Sequence, residues 1–296
     1  MKKLSEYAFN VYSQFGEDGI IQKVFDVMGI STKVCVELGA WDGLHFSNSA
    51  NLWRNGWKGI LIEGDKGRFA ALVQNVKDYD CRCIDTYVTH SGTDTLERVL
   101  LRHGVLDPID LLSIDVDGDD YYILQSLEEI RPRLIICEYN PTIPAHIDLV
   151  PEPGNYFGCS VLSLTGLAEE KGYRLVSLTE TNCFFVLGSE FHHFSGFETS
   201  LSCLRIDSHL TYLITGYDGQ YLASRPPTYG CTVPSRTRFS GSYFQIPTMV
   251  KVPKPGGSLL EGADHPPQEG GERLHRQAKG IAPLAVKALK KRLRRL

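Results

Sequence analysis

The sequence predicts an α/β fold built on a mostly parallel sheet, and three observations lead to this prediction. Short apolar segments rich in β-branched residues recur through the first two thirds of the chain. Segments with helical character lie between them, so strands and helices alternate as in crossover units. The first four apolar segments are nearly continuous, which is typical of strands buried on both faces of a parallel sheet.

The predicted strands, in chain order, are 34–38, 59–62, 111–114, 134–137, 175–178 and 184–187, and the predicted helices are 69–76, 95–102, 121–130 and 162–171. Only residues 179–183 separate the last two strands, which is too short for a helical crossover. We therefore expect a closing hairpin, with an antiparallel last strand at the edge of the sheet.

The flanking segments differ in composition from the sheet-forming part, which we place at residues 31–190. Residues 1–30 form an N-terminal cap segment. Residues 191–251 are rich in Phe and Tyr and in turn signals, which predicts a β-rich C-terminal extension. Residues 252–280 hold four prolines and two glycine pairs, as in a flexible linker. Residues 281–296 have apolar residues at helical spacing, which predicts an amphipathic helix.

The formal net charge of -4 conceals an asymmetry between body and tail. From Arg273 to Leu296 there are nine basic residues and no acidic one, so the preceding 272 residues carry a balance of -13. This excludes a uniformly basic nucleic-acid-binding protein, and we expect no nucleic-acid partner. The basic helix 281–296 is suited to an anionic membrane surface or to docking on a partner such as a glycan-assembly enzyme.

The eight cysteines are scattered and include no C-x-x-C pair. This argues against a zinc ribbon and against a disulfide-stapled secreted fold, and favours buried thiols in a reducing compartment. No apolar run approaches the roughly 18 residues of a membrane span, and the N-terminus lacks a signal-peptide core. We expect a cytoplasmic protein, with peripheral attachment at the inner face of the membrane through the tail.

A glycine-rich turn follows the first strand directly. Glu37 ends the strand, and Gly39 and Gly43 lie in the turn, at the edge where open α/β sheets bind ligands. A dinucleotide site needs G-x-G-x-x-G, whereas here Glu37 and Asp42 would repel two phosphates, which disfavours a nicotinamide oxidoreductase. A ligand with an ammonium and a sulfonium, such as S-adenosylmethionine (SAM), fits better. Glu63, which ends the second strand, is placed to bind ribose hydroxyls.

Acidic residues also follow the strands at 111–114 and 134–137. Asp115 and Asp117 are expected on one side, with Glu138 beside them, while Asp119 or Asp120 caps the next helix. Two roles remain open for the cluster. One carboxylate can act as general base on an acceptor hydroxyl. Alternatively Asp115, Asp117, Glu138 and Asn140 are ligands for Mg²⁺. His146 is the best-placed histidine for a catalytic role.

An ordered set of motifs resembles the class I methyltransferases of the FkbM type. The set is SQFGEDGI (13–20), VELGAWDG (36–43), GWKGILIEGD (56–65), LLSIDVDGDDYYIL (111–124) and ICEYNP (136–141). The resemblance covers roughly residues 10–190 and implies a Rossmann-like sheet that binds SAM. It assigns cofactor contacts to Gln14, Asp18, Glu37, Gly39, Asp42, Gly43 and Glu63, and we also expect Ala40 and Asp115 to contact the cofactor.

The resemblance also implies a reaction and a class of acceptor. We expect a SAM-dependent O-methyltransferase that acts on a sugar hydroxyl of a glycan, a lipid-linked saccharide or a glycosylated natural product. The alternative is a non-catalytic module that keeps the fold and docks a glycan-assembly enzyme. The acceptor, the methylated position and the oligomeric state are not specified by the sequence.

Overall fold

The computed structural model describes residues 1–105, 108–205, 207–217, 221–224, 239–240 and 243–246. Its α-helices are α1 (Glu17–Met28), α2 (Ala50–Trp53), α3 (Lys66–Val76), α4 (Leu96–Arg102), α5 (Asp120–Gln125), α6 (Val161–Glu170) and α7 (Leu201–Leu204). Its main strands are β1 (Val34–Leu38), β2 (Lys58–Glu63), β3 (Cys81–Asp85), β4 (Leu111–Ile114), β5 (Leu134–Glu138), β6 (Tyr173–Leu178) and β7 (Asn182–Leu187).

These seven strands form one sheet in the order β3-β2-β1-β4-β5-β7-β6. Strands β1 to β5 are parallel to one another, and β7 is antiparallel to both β5 and β6. The prediction of a mostly parallel sheet with an antiparallel last strand is therefore confirmed. The strand order reverses between β1 and β4, because β2 and β3 lie on one side of β1 and the later strands on the other.

The predicted position of the antiparallel strand was wrong. β7 lies between β5 and β6, so β6 is the edge strand. A hairpin fixes only that its two strands pair with each other. The crossover through α6 leaves β6 two positions away from β5, and β7 returns in the gap, where Glu138 pairs with Asn182 and Leu134 with Val186.

The predicted helix over 121–130 was too long, since α5 ends at Gln125. The backbone N–H groups of Glu128, Glu129 and Ile130 donate to Oε1 of Glu97 at 2.7, 2.8 and 2.8 Å. These donors bind a side chain of α4, so the chain leaves the helix there. Four further elements were not predicted, namely β3, α1, α2 and α7. β3 is a half-exposed edge strand without a continuous apolar run.

Two apolar layers enclose the sheet. One joins β-strand residues to α4, α5 and α6 and contains Leu100, Leu124 and Leu164. The other joins the sheet to α1, α2 and α3 and contains Ile20, Trp53, Trp57, Leu72 and Phe184. Each face is thus covered by helices, which explains the continuous apolar runs of β1, β4 and β5.

The C-terminal extension is β-rich in its described part. Strands β8 (Leu213–Thr215), β9 (Tyr221–Ala223), β10 (Phe239–Ser240) and β11 (Tyr243–Ile246) form a second, antiparallel sheet in the order β10-β11-β9-β8. The predicted linker 252–280 and the predicted helix 281–296 lie outside the described residues.

Two composition-based expectations concern thiols and membrane spans. All seven described cysteines are free thiols, and four of them are buried. Within the described residues, no helix has the length and apolar character needed to cross a membrane.

Candidate functional site

A row of polar side chains crosses the carboxyl edge of the sheet on the face covered by α1–α3. It consists of Glu63, Glu37, Asp115, Glu138 and Asn182, which end or follow β2, β1, β4 and β5 and begin β7. Alternate residues of a strand face the same side of the sheet. Two residues before Glu63 and Glu138, Leu61 and Ile136 pack in the apolar layer of that face. One face therefore changes from apolar to polar at the edge where ligands bind.

The turn after β1 touches the turn after β4. Gly39 has φ of 79°, and a Cβ built on it would overlap the backbone oxygen of Asp115. Only glycine fits here, because of both the left-handed backbone and the close approach. The contact lies where the strand order reverses, which is the crevice in which open α/β sheets bind ligands.

The carboxylate of Glu37 organises the segment that leads into α2. It accepts hydrogen bonds from the Ser47 hydroxyl at 2.6 Å, the Asn48 N–H at 2.7 Å and the Ser49 hydroxyl at 2.7 Å. Burial raises the pKa of Glu37, and these hydrogen bonds partly offset the effect. The Asn48 side chain continues to Ser113 of β4 at 3.0 Å. The predicted contact of Glu37 with a cofactor stays a prediction, while its contacts with the loop were not foreseen.

Glu63 holds the two turns on either side of it. Its Oε2 accepts the Trp41 N–H at 2.8 Å and its Oε1 accepts the Asp65 N–H at 2.7 Å. The Asp65 side chain in turn caps α3 through the N–H groups of Gly67 and Arg68. The ribose-binding role predicted for Glu63 stays a prediction, at a side chain fixed by both turns.

The remaining residues of the glycine turn are part of its internal structure. Ala40 is buried and donates its N–H to Ile62, next to the site. Asp42 accepts the N–H groups of Leu44 and His45 at 3.0 and 2.8 Å. Gly43 has φ of 81°, and a Cβ there would lie 2.7 Å from Leu72 of α3. Cofactor contacts predicted for these residues stay predictions.

The N-terminal segment reaches the same edge. Gln14 is exposed, whereas Oδ2 of buried Asp18 accepts the N–H groups of Val11, Tyr12 and Ser13. Asp18 thus shapes the loop before α1. Its neighbour Glu17 is a site residue that the sequence analysis did not identify.

Glu17 is fully buried and ties α1 to β7. Its Oε1 accepts the Thr179 hydroxyl at 2.7 Å and the Asn182 amide at 3.2 Å, and its Oε2 accepts the Phe15 N–H at 2.7 Å. It is also one of the charges that raise the pKa of Asp115. The motif SQFGEDGI contains this residue, so the signal was present in the sequence.

Three carboxylates meet at the ends of β4 and β5. Oxygen atoms of Asp115, Asp117 and Glu138 all lie within 4.8 Å of one another. This confirms the predicted proximity of Glu138 to the two aspartates. Asp117 is exposed, and the other two are partly buried. The set consists of the oxygen ligands that Mg²⁺ prefers.

The trio carries less negative charge than its composition suggests. Burial and the neighbouring Asp115, Asp120 and Asp117 raise the pKa of Glu138 to about 10. Burial and nearby acids, with Asp120 first among them, also raise the pKa of Asp115 well above its ordinary value. In the absence of a cation, Glu138 therefore holds a proton at neutral pH.

The expectation that Asp119 or Asp120 caps α5 through its side chain was wrong. Asp119 occupies the N-cap position without such a hydrogen bond, and its Oδ1 accepts the Gly154 N–H at 2.6 Å. Buried Asp120 accepts the N–H groups of Val116 and Gly118, both at 3.0 Å. Burial raises the pKa of Asp120 to about 6, despite these hydrogen bonds. Both aspartates brace loops at the site.

Asn140 and His146, also predicted as site residues, are not part of the carboxylate trio. Oδ1 of Asn140 accepts the N–H and the hydroxyl of Thr142 at 2.8 and 2.6 Å, so the proposed ligand atom already shapes the loop after β5. His146 is exposed in that loop and is not among the acidic and histidine groups gathered around Asp117. Its catalytic role stays a prediction.

The turns at this edge are conformationally strained. Trp41, Phe46 and Asp117 have φ of 50°, 53° and 58°, in the left-handed region. Such conformations cost roughly 1–3 kcal/mol each and cluster at functional sites, where surrounding contacts maintain them. Here they occur in both turns that form the crevice.

The strand order, with an antiparallel β7 inserted between β5 and β6, decides the fold. The fold is that of the Rossmann-like methyltransferases. No protein-family model matches the sequence, and no curated protein is a significant match.

Solved structures with a similar fold include three methyltransferase-fold chains. The N-terminal domain of EvdMO1 with SAH bound has 14% identity and a TM-score of 0.37, covering 57% of this chain and 79% of that chain. A TehB-like SAM-dependent methyltransferase from Corynebacterium glutamicum has 10% identity and a TM-score of 0.37, covering 56% and 86%. A SAM-dependent methyltransferase from Aquifex aeolicus has 12% identity and a TM-score of 0.34, covering 56% and 89%. The strand order, and not these likenesses, carries the fold assignment.

In this methyltransferase fold, the crevice between the β1 and β4 turns is lined mainly by acids of the chain itself. Glu37 and Glu63 are held by backbone and hydroxyl donors, while Asp115 and Glu138 are crowded by like charges. The second pair is therefore the part of the site whose electrostatics a bound cation would relieve.

Proposed function

We propose that this protein is a SAM-dependent O-methyltransferase of the FkbM type that acts on a sugar hydroxyl. The observation that carries the proposal is the crowding of Asp115, Asp117 and Glu138 beside the Gly39 turn, at the switch point of a methyltransferase fold. Such a crevice repels phosphates and favours a ligand that carries positive charge.

The residues at the crevice suit the charge of SAM. The cofactor has a sulfonium and an ammonium, and their positive charge offsets the repulsion among the acids that, together with burial, raises the pKa of Asp115 and Glu138. Gly39 allows the β1 turn to contact the β4 turn at Asp115. Glu63, fixed by Trp41 and Asp65, would accept hydrogen bonds from ribose hydroxyls.

When bound, SAM supplies a methyl group on a sulfonium; the acceptor oxygen forms the new C–O bond as the S–C bond breaks, leaving S-adenosylhomocysteine (SAH) and a proton. Asp117 is suited to accept the hydroxyl proton, because it is the exposed member of the trio. Asp115 and Glu138 flank it and keep the site attractive to cations. The chain contributes positioning and proton removal.

The same trio also suits a metal-assisted form of the reaction. Asp115, Asp117 and Glu138 would hold Mg²⁺, which lowers the pKa of a coordinated hydroxyl. Asn140 is less suited as a fourth ligand, because its amide oxygen is engaged by Thr142. Addition of EDTA distinguishes the two forms. If EDTA abolishes activity and Mg²⁺ restores it, the reaction uses the metal. If activity is unchanged, the carboxylate base acts without a metal.

Calorimetry with SAM tests the enzyme proposal against the non-catalytic alternative. We expect saturable binding of SAM and SAH by the full chain. Absence of binding at millimolar cofactor would leave the non-catalytic module, docked on a glycan-assembly enzyme, as the better proposal. Binding of NADH, followed by its fluorescence, would contradict the choice of cofactor.

Release of SAH with candidate acceptors tests the reaction. Neutral glycans, lipid-linked saccharides and glycosylated natural products are the classes to compare. SAH release that depends on one of these classes supports O-methylation of a sugar, with the product located by mass spectrometry. Transfer only to an amine or a thiol would contradict it.

The tail 281–296 is proposed to bring the enzyme to an anionic membrane surface. The support is its composition, with basic residues opposite an apolar stripe. Co-sedimentation with vesicles that contain anionic lipid is expected for the full chain and not for a chain ending at residue 280. Equal sedimentation of both would leave docking on a partner enzyme as the alternative.

A further inference from the structure

The segment 151–158, in the long connection after β5, lies against both loops that carry the acidic trio. The Gly154 N–H donates to Asp119 at 2.6 Å, and the Asn140 side chain donates to the backbone oxygen of Phe157 at 2.6 Å. The Tyr122 hydroxyl donates to the backbone oxygen of Pro151 at 2.8 Å. These three hydrogen bonds fix the segment at its start, its middle and its end.

A glycine next to the trio makes this close approach possible. A Cβ built on Gly118 would lie 2.6 Å from the backbone oxygen of Asn155 and 3.2 Å from Cα of Tyr156. Gly118 also has φ of 137°, which side chains rarely adopt. The residue directly after Asp117 therefore leaves room for the backbone of Tyr156.

Two large aromatic side chains extend from this fixed backbone. Tyr156 is 80% exposed and Phe157 is 52% exposed. Exposed aromatic rings offer an apolar face for a ring-shaped ligand. The backbone that carries Tyr156 contacts Gly118, the residue directly after Asp117.

We propose that the segment 151–158 is the acceptor-binding element, with Tyr156 and Phe157 as the stacking surface for an uncharged ring that bears hydroxyl groups. This inference rests on the proposed methyltransferase function. It names the part of the chain that selects the acceptor, which the proposed function leaves open.

The chemistry of the surroundings selects this ligand class. Aromatic faces pack against the C–H face of a pyranose ring, and carboxylates accept hydrogen bonds from its hydroxyl edge. Asp117, the exposed carboxylate of the trio, provides such an acceptor directly before Gly118, which the segment contacts. An anionic ring would meet the charge of Asp117 and is disfavoured.

The test measures the binding of methyl pyranosides to the full chain saturated with SAH, by NMR titration. The neutral probes are the methyl glycosides of glucose, galactose and mannose, and the methyl glycoside of glucuronic acid is their anionic match. The variants are Tyr156→Ala, Phe157→Ala and the conservative Tyr156→Phe. Tyr212→Ala is the matched control, because Tyr212 is an exposed tyrosine in the C-terminal extension.

We expect at least one neutral glycoside to bind and the glucuronide to bind more weakly. Each alanine variant should raise the dissociation constant about fivefold or more, while Tyr156→Phe and Tyr212→Ala leave it unchanged. Equal binding by the alanine variants and wild type, tighter binding of the glucuronide, or no binding of any neutral probe would overturn the inference.

Cofactor calorimetry on the same variants separates this inference from the proposed function. Wild type and all variants should bind SAM with equal affinity, since both rings point from a loop that is distinct from the Gly39 turn. If wild type binds SAM and the alanine variants bind the glycosides as tightly as wild type does, the inference is contradicted while the proposed function stands. Absence of SAM binding in wild type removes the proposed function, and with it the inference.

Discussion

At the residue scale, the crevice depends on a glycine that allows two turns to touch. A Cβ on Gly39 would overlap the backbone oxygen of Asp115, and the left-handed φ adds strain. For Gly39→Ala we expect at least a tenfold loss of SAM affinity and a lower melting temperature, because the β1 and β4 turns must separate. Calorimetry and thermal unfolding measure the two effects.

The matched control is Gly166→Ala in α6. A Cβ on Gly166 meets nothing within 4 Å, and alanine favours the helix by roughly 0.5–1 kcal/mol. This variant should be slightly more stable than wild type and should bind SAM equally. If both alanine variants behaved alike, the steric argument for the Gly39 turn would be incorrect.

A second prediction at this scale concerns the proton acceptor. Asp117→Asn removes the exposed carboxylate of the trio while it keeps the shape of the side chain. Its kcat should fall by about 10²- to 10⁴-fold, with SAM affinity changed much less. His146→Ala should leave kcat within about twofold, because His146 lies outside the trio. The opposite pattern in SAH-release kinetics would assign the base to His146.

At the element scale, Glu97 of α4 determines where α5 and its following turn end. Its Oε1 accepts three successive N–H groups, of Glu128, Glu129 and Ile130. Glu97→Ala should cost about 1–3 kcal/mol, because these donors lose their charged acceptor. The melting temperature should fall by about 2–4 °C for each kcal/mol, at unchanged SAM affinity.

Glu129→Ala is the comparison variant, because the Glu129 side chain is exposed and only its backbone is involved. Its melting temperature should stay close to that of wild type. A similar decrease in both variants would mean that net charge, and not the hydrogen bonds of Glu97, determines the stability of this turn.

At the scale of the whole molecule, the acidic edge makes the stability of the ligand-free protein depend on pH. The pKa of Glu138 is raised from 4.5 to about 10, and that of Asp120 from 3.8 to about 6. Between each pair of values the folded state holds a proton that the unfolded state does not. These contributions to stability are therefore complete below the lower value and are lost as pH rises towards the higher one.

The melting temperature of ligand-free protein should accordingly decrease as pH rises from about 6 to about 9. Glu138→Gln is neutral at every pH, so it should show a smaller decrease and exceed wild type at the alkaline end. Glu129→Gln, at an exposed position, should follow wild type. Parallel curves for wild type and Glu138→Gln would show that Glu138 is ionised in the folded protein.

The parts of this fold that follow a simple sequence pattern were predicted correctly. The four continuous apolar segments correspond to β1, β2, β4 and β5, because strands buried on both faces need apolar residues throughout. The half-exposed edge strand β3 was missed, since it has no such run. The acids at strand ends were found because the carboxyl edge of a parallel sheet gathers them.

Local sequence by itself determined the strand segments of the main sheet except β3, the Gly39 turn and the acids at the ends of β1, β2 and β5. Only the tertiary structure decided that β7 enters between β5 and β6, that Glu17 joins the site, and that 151–158 lies against Gly118. Alternation and turn propensity act between neighbours in the chain. Strand order, the pKa of Glu138 and loop contacts depend on groups far apart in sequence, whose proximity folding alone creates.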